Sequence, residues 1–367
     1  MNMKVKLGDV CERGSSNLKQ ADILDKTGEF PIYGASGYIG NVDFYHQENE
    51  YVAIVKDGAG IGRAMFLPAM SSVIGTMQYL LPKDNILPKY LYYVVKYMHL
   101  EKYFTGATIP HIYFKDYKNE EFNCESIEKQ QQIITALENA EKIIALRKQQ
   151  LQKLDELVKA RFVEMFGIVG TDEKGWGLSR LGDVCKINPK KTDDSRLKSG
   201  LQVSFVPMPA VSEKGEINPT EIKIYDDVKT GFTYFCEEDV LFAKITPCME
   251  NGKGAVAKGL CNGIGFGSTE FHVLRPIENI SNPYWIYAVT AFNQFRIDAA
   301  NNMTGSAGQR RVPASFLDSY NVSLPPIELQ NQFADFVEQI DKSKFAVQKA
   351  LDEAQTLFDS LMQEYFG

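Results

Sequence analysis

Histidine and cysteine are scarce, at four and six residues in 367, and neither type clusters. Cys11, Cys124, Cys185, Cys236, Cys248 and Cys261 form no C-x-x-C pair, so neither a disulfide framework nor a zinc site is legible. Reduced, buried thiols are the expectation. No stretch approaches the ~18 unbroken apolar residues of a membrane helix. Residues 1–10 hold no apolar core of signal-peptide length. A cytoplasmic protein with no membrane contact is expected.

Motifs for chemistry are missing too. Gly58, Gly60 and Gly62 follow an apolar run, Tyr51-Val52-Ala53-Ile54-Val55, but as G-x-G-x-G, and Pro68 arrives too soon for a phosphate-binding helix. A β-turn is the better reading. Asn251-Gly252-Lys253-Gly254 lacks the spacing of a Walker loop. Glu221-Ile222-Lys223 fits a minimal nuclease pattern without the preceding Pro-Asp, and reads as an exposed strand. Asn188-Pro189-Lys190 is not the Asn-Pro-Pro-aromatic tetrapeptide of adenine methyltransferases. No catalytic site, cofactor or metal is expected, and the chain reads as non-catalytic.

An excess of positive charge is also absent, since the net charge is -7. That total hides an uneven distribution. Residues 1–118 carry 13 basic and 12 acidic side chains, and 175–320 carry 16 of each. Residues 119–174 carry 8 and 11, and 321–367 carry 3 and 8. The acidity sits in two segments, which leaves the rest neutral and able to bear local basic patches.

What the sequence does hold is a duplication. Leu7-Gly8-Asp9-Val10-Cys11 returns as Leu181-Gly182-Asp183-Val184-Cys185, a spacing of 174. Thr105-Gly106 returns as Thr304-Gly305 at 199, and Ile127-Glu128-x-Gln130-x-Gln132 as Ile327-Glu328-x-Gln330-x-Gln332 at 200. Phe166-Gly167 matches Phe366-Gly367, again at 200. The spacing grows only in the globular parts, so the second carries longer loops while the segments that follow are equal in length.

Those segments read as amphipathic helices. Ile133, Leu137, Ala140, Ile144, Leu151, Leu154, Val158 and Met165 alternate by threes and fours, broken by Arg147 and Arg161. Phe333, Val337, Ile340, Val347, Leu351, Ala354, Phe358, Leu361 and Tyr365 do the same, broken by Lys344. Both look like coiled-coil seams. A helix of this length spans ~58 Å and needs a partner for its stripe. The economical partner is the other helix, and antiparallel pairing would set the globular parts at opposite ends. Ordinary core helices are the competing reading.

Residues 168–178 are glycine-rich and polar and end near Trp176, as a linker would. The expected organisation is α+β: mixed α/β domains at 1–120 and 179–322, with coiled-coil helices at 121–167 and 323–367 and a pseudo-twofold repeat. Helices are expected to open at Pro88 and Pro283, and a strand over 239–245.

Gly28-x-Phe30-Pro31-Ile32-Tyr33-Gly34-Ala35-Ser36-Gly37, Asp239-Val240-Leu241-Phe242-Ala243-Lys244-Ile245-Thr246-Pro247-Cys248-x-Glu250-Asn251-Gly252-Lys253, Gly267-Ser268-Thr269-Glu270-Phe271 and Leu324-Pro325-Pro326-Ile327-Glu328-x-Gln330 carry a family likeness. With the duplication, the chain resembles the specificity subunit of type I restriction-modification enzymes. One departure is Cys124-Glu125-Ser126, where the family has a proline-rich entry to the first helix. The resemblance implies two target-recognition domains, each reading half of a split asymmetric site on double-stranded DNA. It implies antiparallel helices that dock two methyltransferase subunits and, through them, nuclease-motor subunits, which supply adenine methylation and restriction.

The family has no fixed base-reading motif, so readers are nominated by chemistry: hydrogen-bond donors on glycine-rich turns. They are Lys56, Arg63 and His111 in the first part, and Lys244, Asn251, Lys253, Arg310 and Arg311 in the second. For each alone a solvated surface charge is the competing account, and Gln309-Arg310-Arg311 after Gly305-Ser306-Ala307-Gly308 is the foremost nominee. A coiled-coil scaffold whose globular parts bind proteins is the alternative function, and a small-molecule enzyme is the least favoured.

Overall fold

The repeated pentapeptide folds the same way twice. In the computed structural model, which describes residues 3–23, 26–105, 110–218, 221–306 and 308–367, Leu7–Val10 and Leu181–Val184 each form one helical turn. Leucine and valine point inward, and the cysteine thiol donates to the leucine carbonyl at 3.2 Å in both copies. Cys11 and Cys185 are buried, the other four cysteines are half-buried, and all six are free. Gly106 of the repeated Thr-Gly pair and Ala307 lie outside the described residues.

The strand before each turn pairs antiparallel with the strand that enters the long helix: Met3–Lys6 with Glu121–Cys124, and Leu178–Arg180 with Asn321–Ser323. Each globular part is thus closed onto the start of its own helix.

Between these ends lies a repeated four-stranded antiparallel sheet. The first has the order Cys11–Ser15, Met77–Pro82, Tyr51–Val55, Ala64–Leu67. The second has Cys185–Ile187, Phe271–Pro276, Val240–Ala243, Gly254–Val256. The strands Tyr51–Val55 and Val240–Ala243 are apolar on both faces, and both faces are covered. Val52 and Ile54 pack toward the helix Pro88–Tyr97, while Tyr51, Ala53 and Val55 face Val73 and Tyr33 of a second sheet. Likewise Val240 and Phe242 meet Trp285 and Ile286 of the helix Pro283–Ala291, while Leu241 and Ala243 meet Val206 and Val211. Both proline-led helices begin where the sequence predicts.

The second sheets account for the divergence. The first part has three strands, Gly37–Val42, Phe30–Gly34 and Ser72–Val73. The second has four, Glu221–Ile224, Gln202–Val206, Ile264–Gly267 and Thr233–Cys236. Glu221-Ile222-Lys223 is an exposed edge strand, its lysine lying over the Phe205 ring at 3.8 Å.

Ile127–Phe166 and Ile327–Phe366 are helices of 40 residues each. The chain divides into two compact units, Met1–Gln149 with Gln348–Gly367, and Gln150–Val347, so the division falls inside both helices. In the first unit Leu137, Ala140 and Ile144 share a core with Ala354, Phe358, Met362 and Phe366. In the second, Phe162 and Phe166 share one with Phe333. Most of the predicted stripe is buried or half-buried. Near the end of the first helix, however, Phe162 and Phe166 go deeper than Met165. A straight helix drifts ~20° per heptad from a 3.5-residue repeat, which turns a different row inward over this length. The polar breaks are used: Lys344 pairs with Asp155 at 2.6 Å, and Arg161 lies over Phe336.

The two helix entries differ as their sequences do. Ser126 Oγ accepts the Lys129 N–H at 3.3 Å, an N-cap standing where the second copy has Pro325 and Pro326. Four residues on, both helices carry a fully buried glutamine. Gln130 Oε1 accepts from the Leu87 N–H, and its amide donates to the Asn85 and Glu125 carbonyls. Gln330 accepts from Asn282 N–H and donates to the Ile280 and Pro325 carbonyls. The repeated Ile-Glu-x-Gln is therefore a latch between the long helix and the loop that opens the proline-led helix.

Candidate nucleic-acid interface

One inner strand of each four-stranded sheet, Tyr51–Val55 and Val240–Ala243, leads directly into a lysine, and three segments converge there. In the first part, Lys56 N–H and Asp57 N–H donate to the Thr76 carbonyl at 3.0 and 3.3 Å. Gly58 N–H donates to Pro110, Ile112 N–H donates to Lys56, and His111 exchanges two backbone bonds with Thr105 at 2.9 Å. The chain then turns through Gly58, Gly60 and Gly62, at φ +83°, +83° and +80°. A left-handed backbone is open to glycine at little cost. It is a turn, with Arg63 N–H donating to Gly60, and no helix follows.

The second part repeats this lattice in all but the Asp57 bond. Lys244 N–H donates to Glu270, Thr246 N–H to Arg310, and Val312 N–H to Lys244, while Arg311 exchanges bonds with Thr304 at 2.8 and 2.9 Å. Lys56 thus corresponds to Lys244, and His111 to Arg311.

The side chains on the lattice differ. His111 Nδ1 meets one oxygen of Asp57, while Lys56 Nζ meets the other at 2.8 Å. The Tyr113 ring lies 4.1 Å from the His111 ring, tilted by 54°, and is exposed. Arg63 is exposed and reaches the Ala35 carbonyl, which brings the Gly34-Ala35-Ser36-Gly37 turn beside the glycine turn. In the second part Arg311 makes a two-pronged pair with Glu270, at 2.9 and 2.8 Å. That guanidinium holds the Glu270 carboxyl below its ordinary range.

Of the foremost nominee, Gln309-Arg310-Arg311, the middle residue turns away from this lattice. Arg310 donates to the carbonyls of Ala300 and Met303 at 3.0 and 3.2 Å, closing the C-terminal end of the helix Asn293–Asn301. There a cation satisfies carbonyls that have no helical partner. Among the described residues, Asn251 and Lys253 are engaged by no side-chain hydrogen bond or ion pair. They sit on the turn between the strands Val240–Ala243 and Gly254–Val256. All five nominees of the second part therefore cluster at one end of one sheet, with Asn251 exposed at its turn.

Sequence reasoning missed Asp57 and Glu270, the carboxylates that hold His111 and Arg311. Asp57 stands beside Lys56, but its partner is 54 residues away. What the arrangement offers is a row of fixed donors at a sheet end, with an amide free for two-pronged bonding to adenine.

Comparison with known proteins gives a match to the model of the type I restriction modification DNA specificity domain, at residues 2–156 and again at 173–354. The chain belongs to that family. Each matched segment starts shortly before a copy of the Leu-Gly-Asp-Val-Cys turn and runs into a long helix. Among curated relatives, the EcoAI specificity subunit of Escherichia coli is 37% identical over 195 residues, 51% of this chain and 32% of the relative. The EcoEI specificity subunit, also from Escherichia coli, is 35% identical over 234 residues, 60% and 38%. The matches thus span about a third of the length of these relatives. Among solved structures, the type I S subunit from M. genitalium aligns over 100% of this chain and 96% of its own, at 14% identity and TM-score 0.61. A structure described for complex assembly and conformational transition of the type I R-M system aligns over 99% and 97%, at 16% and 0.56. At these identities the likeness is one of fold. Among the described residues no helix is long and apolar enough to cross a membrane.

Proposed function

We propose that this chain is the non-catalytic subunit that reads DNA sequence for a type I restriction-modification complex. One observation carries the reading: the same backbone lattice occurs twice, at the same end of equivalent sheets, with different side chains on it. Equal frames with unlike donors suit two unlike half-sites, and so an asymmetric target. In this reading segments 1–120 and 179–322 are the readers. The helices at 121–167 and 323–367 form an antiparallel coiled coil that fixes their separation, with 168–178 as linker. Methylation and cleavage belong to partner subunits.

The helices suit protein partners. The second, Ile327–Phe366, carries 8 acidic against 3 basic side chains, and large apolar side chains remain exposed on both: Leu146 and Leu357 in the first unit, Leu157 and Phe345 in the second. Phe345 is 76% exposed, more than any other large apolar side chain among the described residues. Two methyltransferase subunits would dock there, and nuclease-motor subunits through them. Phe345→Ser is expected to weaken capture of the methyltransferase subunit in size-exclusion titration about tenfold or more, with the chain's own melting temperature unchanged. Equal capture would remove Phe345 from the interface.

The test of function is to express the chain with a type I adenine methyltransferase subunit and map methylated adenines. A bipartite, asymmetric motif is expected, with salt-dependent binding to duplexes that contain it. Methylation at a continuous site would sink the proposal. Salt-independent association, with no motif, would return the scaffold reading.

A further inference from the structure

Arg296 stands on the helix Asn293–Asn301 with its side chain buried, its guanidinium 5.6 Å from the centre of the Phe242 ring and close to Tyr287. Among the described residues it has no carboxylate partner. Burial lowers its pKa to about 10, which leaves it charged at neutral pH. A buried, uncompensated charge is costly, and a methionine would fill the same space. What methionine would not supply is the pair of bonds the guanidinium makes. Nη1 donates to the Met249 carbonyl at 2.5 Å and Nη2 to the Gly252 carbonyl at 3.0 Å.

Those carbonyls flank Asn251 on the turn between two strands. The turn is otherwise held by backbone bonds of its own, Met249 N–H to Ile245, Asn251 N–H to Pro247 and Lys253 N–H to Cys248, by the Thr246 hydroxyl donating to Glu250 at 3.0 Å, and by the Met249 side chain buried in the domain core, with Gly252 at φ +91°. Nothing among these bonds ties the apex to the body of the domain. Arg296 does, and from behind the turn rather than from its exposed side.

We propose that Arg296 is a positioning residue for recognition of the second half-site: it fastens the turn that carries Asn251 and Lys253, and so sets which base pair that turn reads without touching DNA. The proposal rests on the DNA-recognition reading above. The first part fastens its corresponding turn by a different device. A Cβ on Gly62 would lie 2.4 Å from the Glu101 backbone nitrogen, so the glycine turn is pressed directly onto the segment after its helix. Loosening Arg296 therefore acts on one half-site only.

The experiment maps methylated adenines for the chain co-expressed with its methyltransferase subunit, comparing wild type, R296K, N251A, the R296K/N251A double variant and G252A. Lysine keeps the charge and loses the fork. Expected is about tenfold weaker discrimination at the same one or two positions of one half-site in R296K and in N251A. The double variant should be no worse than either single, because the two changes act through one turn. G252A strains the turn and leaves Arg296 in place, and should broaden the same positions if R296K fails to accumulate. Unchanged specificity in R296K, in N251A or in G252A, equal broadening of both half-sites, or additive losses in the double variant would each overturn the proposal. A wild-type complex with no bipartite motif would overturn the functional reading instead.

Discussion

Replacing Asp239 with alanine is expected to cost the second unit about 3–5 kcal/mol, the range for breaking a buried ion pair from one side. The carboxylate is fully buried just before the strand Val240–Ala243, which leads into Lys244. Its oxygens take Arg275 Nε at 2.8 Å and Nη2 at 2.7 Å, and one also accepts the Cys236 N–H at 2.7 Å. Alanine would leave a guanidinium over the Tyr234 ring without its counter-ion, and an amide with no acceptor. Because the arginine side chain is 26% exposed, water relieves part of the loss, and the lower end of the range is the better expectation. Asp239→Asn keeps acceptor oxygen for the amide and should cost less. Both tryptophans, Trp176 and Trp285, lie in the second unit, so fluorescence-monitored denaturation of the full chain reads that unit selectively. A loss below about 1 kcal/mol would mean that solvent screens the pair as it does at a surface.

Asp239 also marks the boundary of what the sequence makes legible. Local, periodic features are readable: the proline-led helices, the long stripes and the glycine turn at Gly58 all depend on neighbours within a few residues. Arg310 and Arg311 look alike in sequence, as adjacent cations after a glycine-rich stretch. In the fold one caps a helix ten residues back and the other pairs with a carboxylate 41 residues back. Those partners exist only once the sheet is formed. The same holds for His111 with Asp57, and for Arg296, which reads as one polar residue on a short helix and turns out to be buried. Even the stripe is only partly legible, because a strict 3-4 alternation selects Met165 while the drift of a real helix selects Phe162 and Phe166. Among the nominees, freedom from other partners, visible only in the structure, now ranks Asn251 and Lys253 above Arg310.

The repeated glutamine makes the sharpest comparison between the two units. Gln130→Leu and Gln330→Leu are each expected to cost about 2–5 kcal/mol, since each strands one amide donor and two carbonyls that are buried or nearly so. Leucine fits the volume, so the loss measures hydrogen bonds rather than a cavity. Gln→Glu is the discriminating control: the carboxylate still accepts from Leu87 or Asn282 N–H, but it meets two carbonyls to which it has nothing to donate. It should therefore be at least as damaging as leucine, the reverse of what polarity alone suggests. Tryptophan fluorescence should register only the Gln330 variants, and far-ultraviolet circular dichroism both, because the first unit has no tryptophan. The latched N–H groups stand immediately before Pro88 and Pro283, where proline supplies no donor and the helix start relies on what precedes it. If glutamate proves milder than leucine, the buried amide is not donating to those carbonyls, and the Ile-Glu-x-Gln repeat needs another explanation.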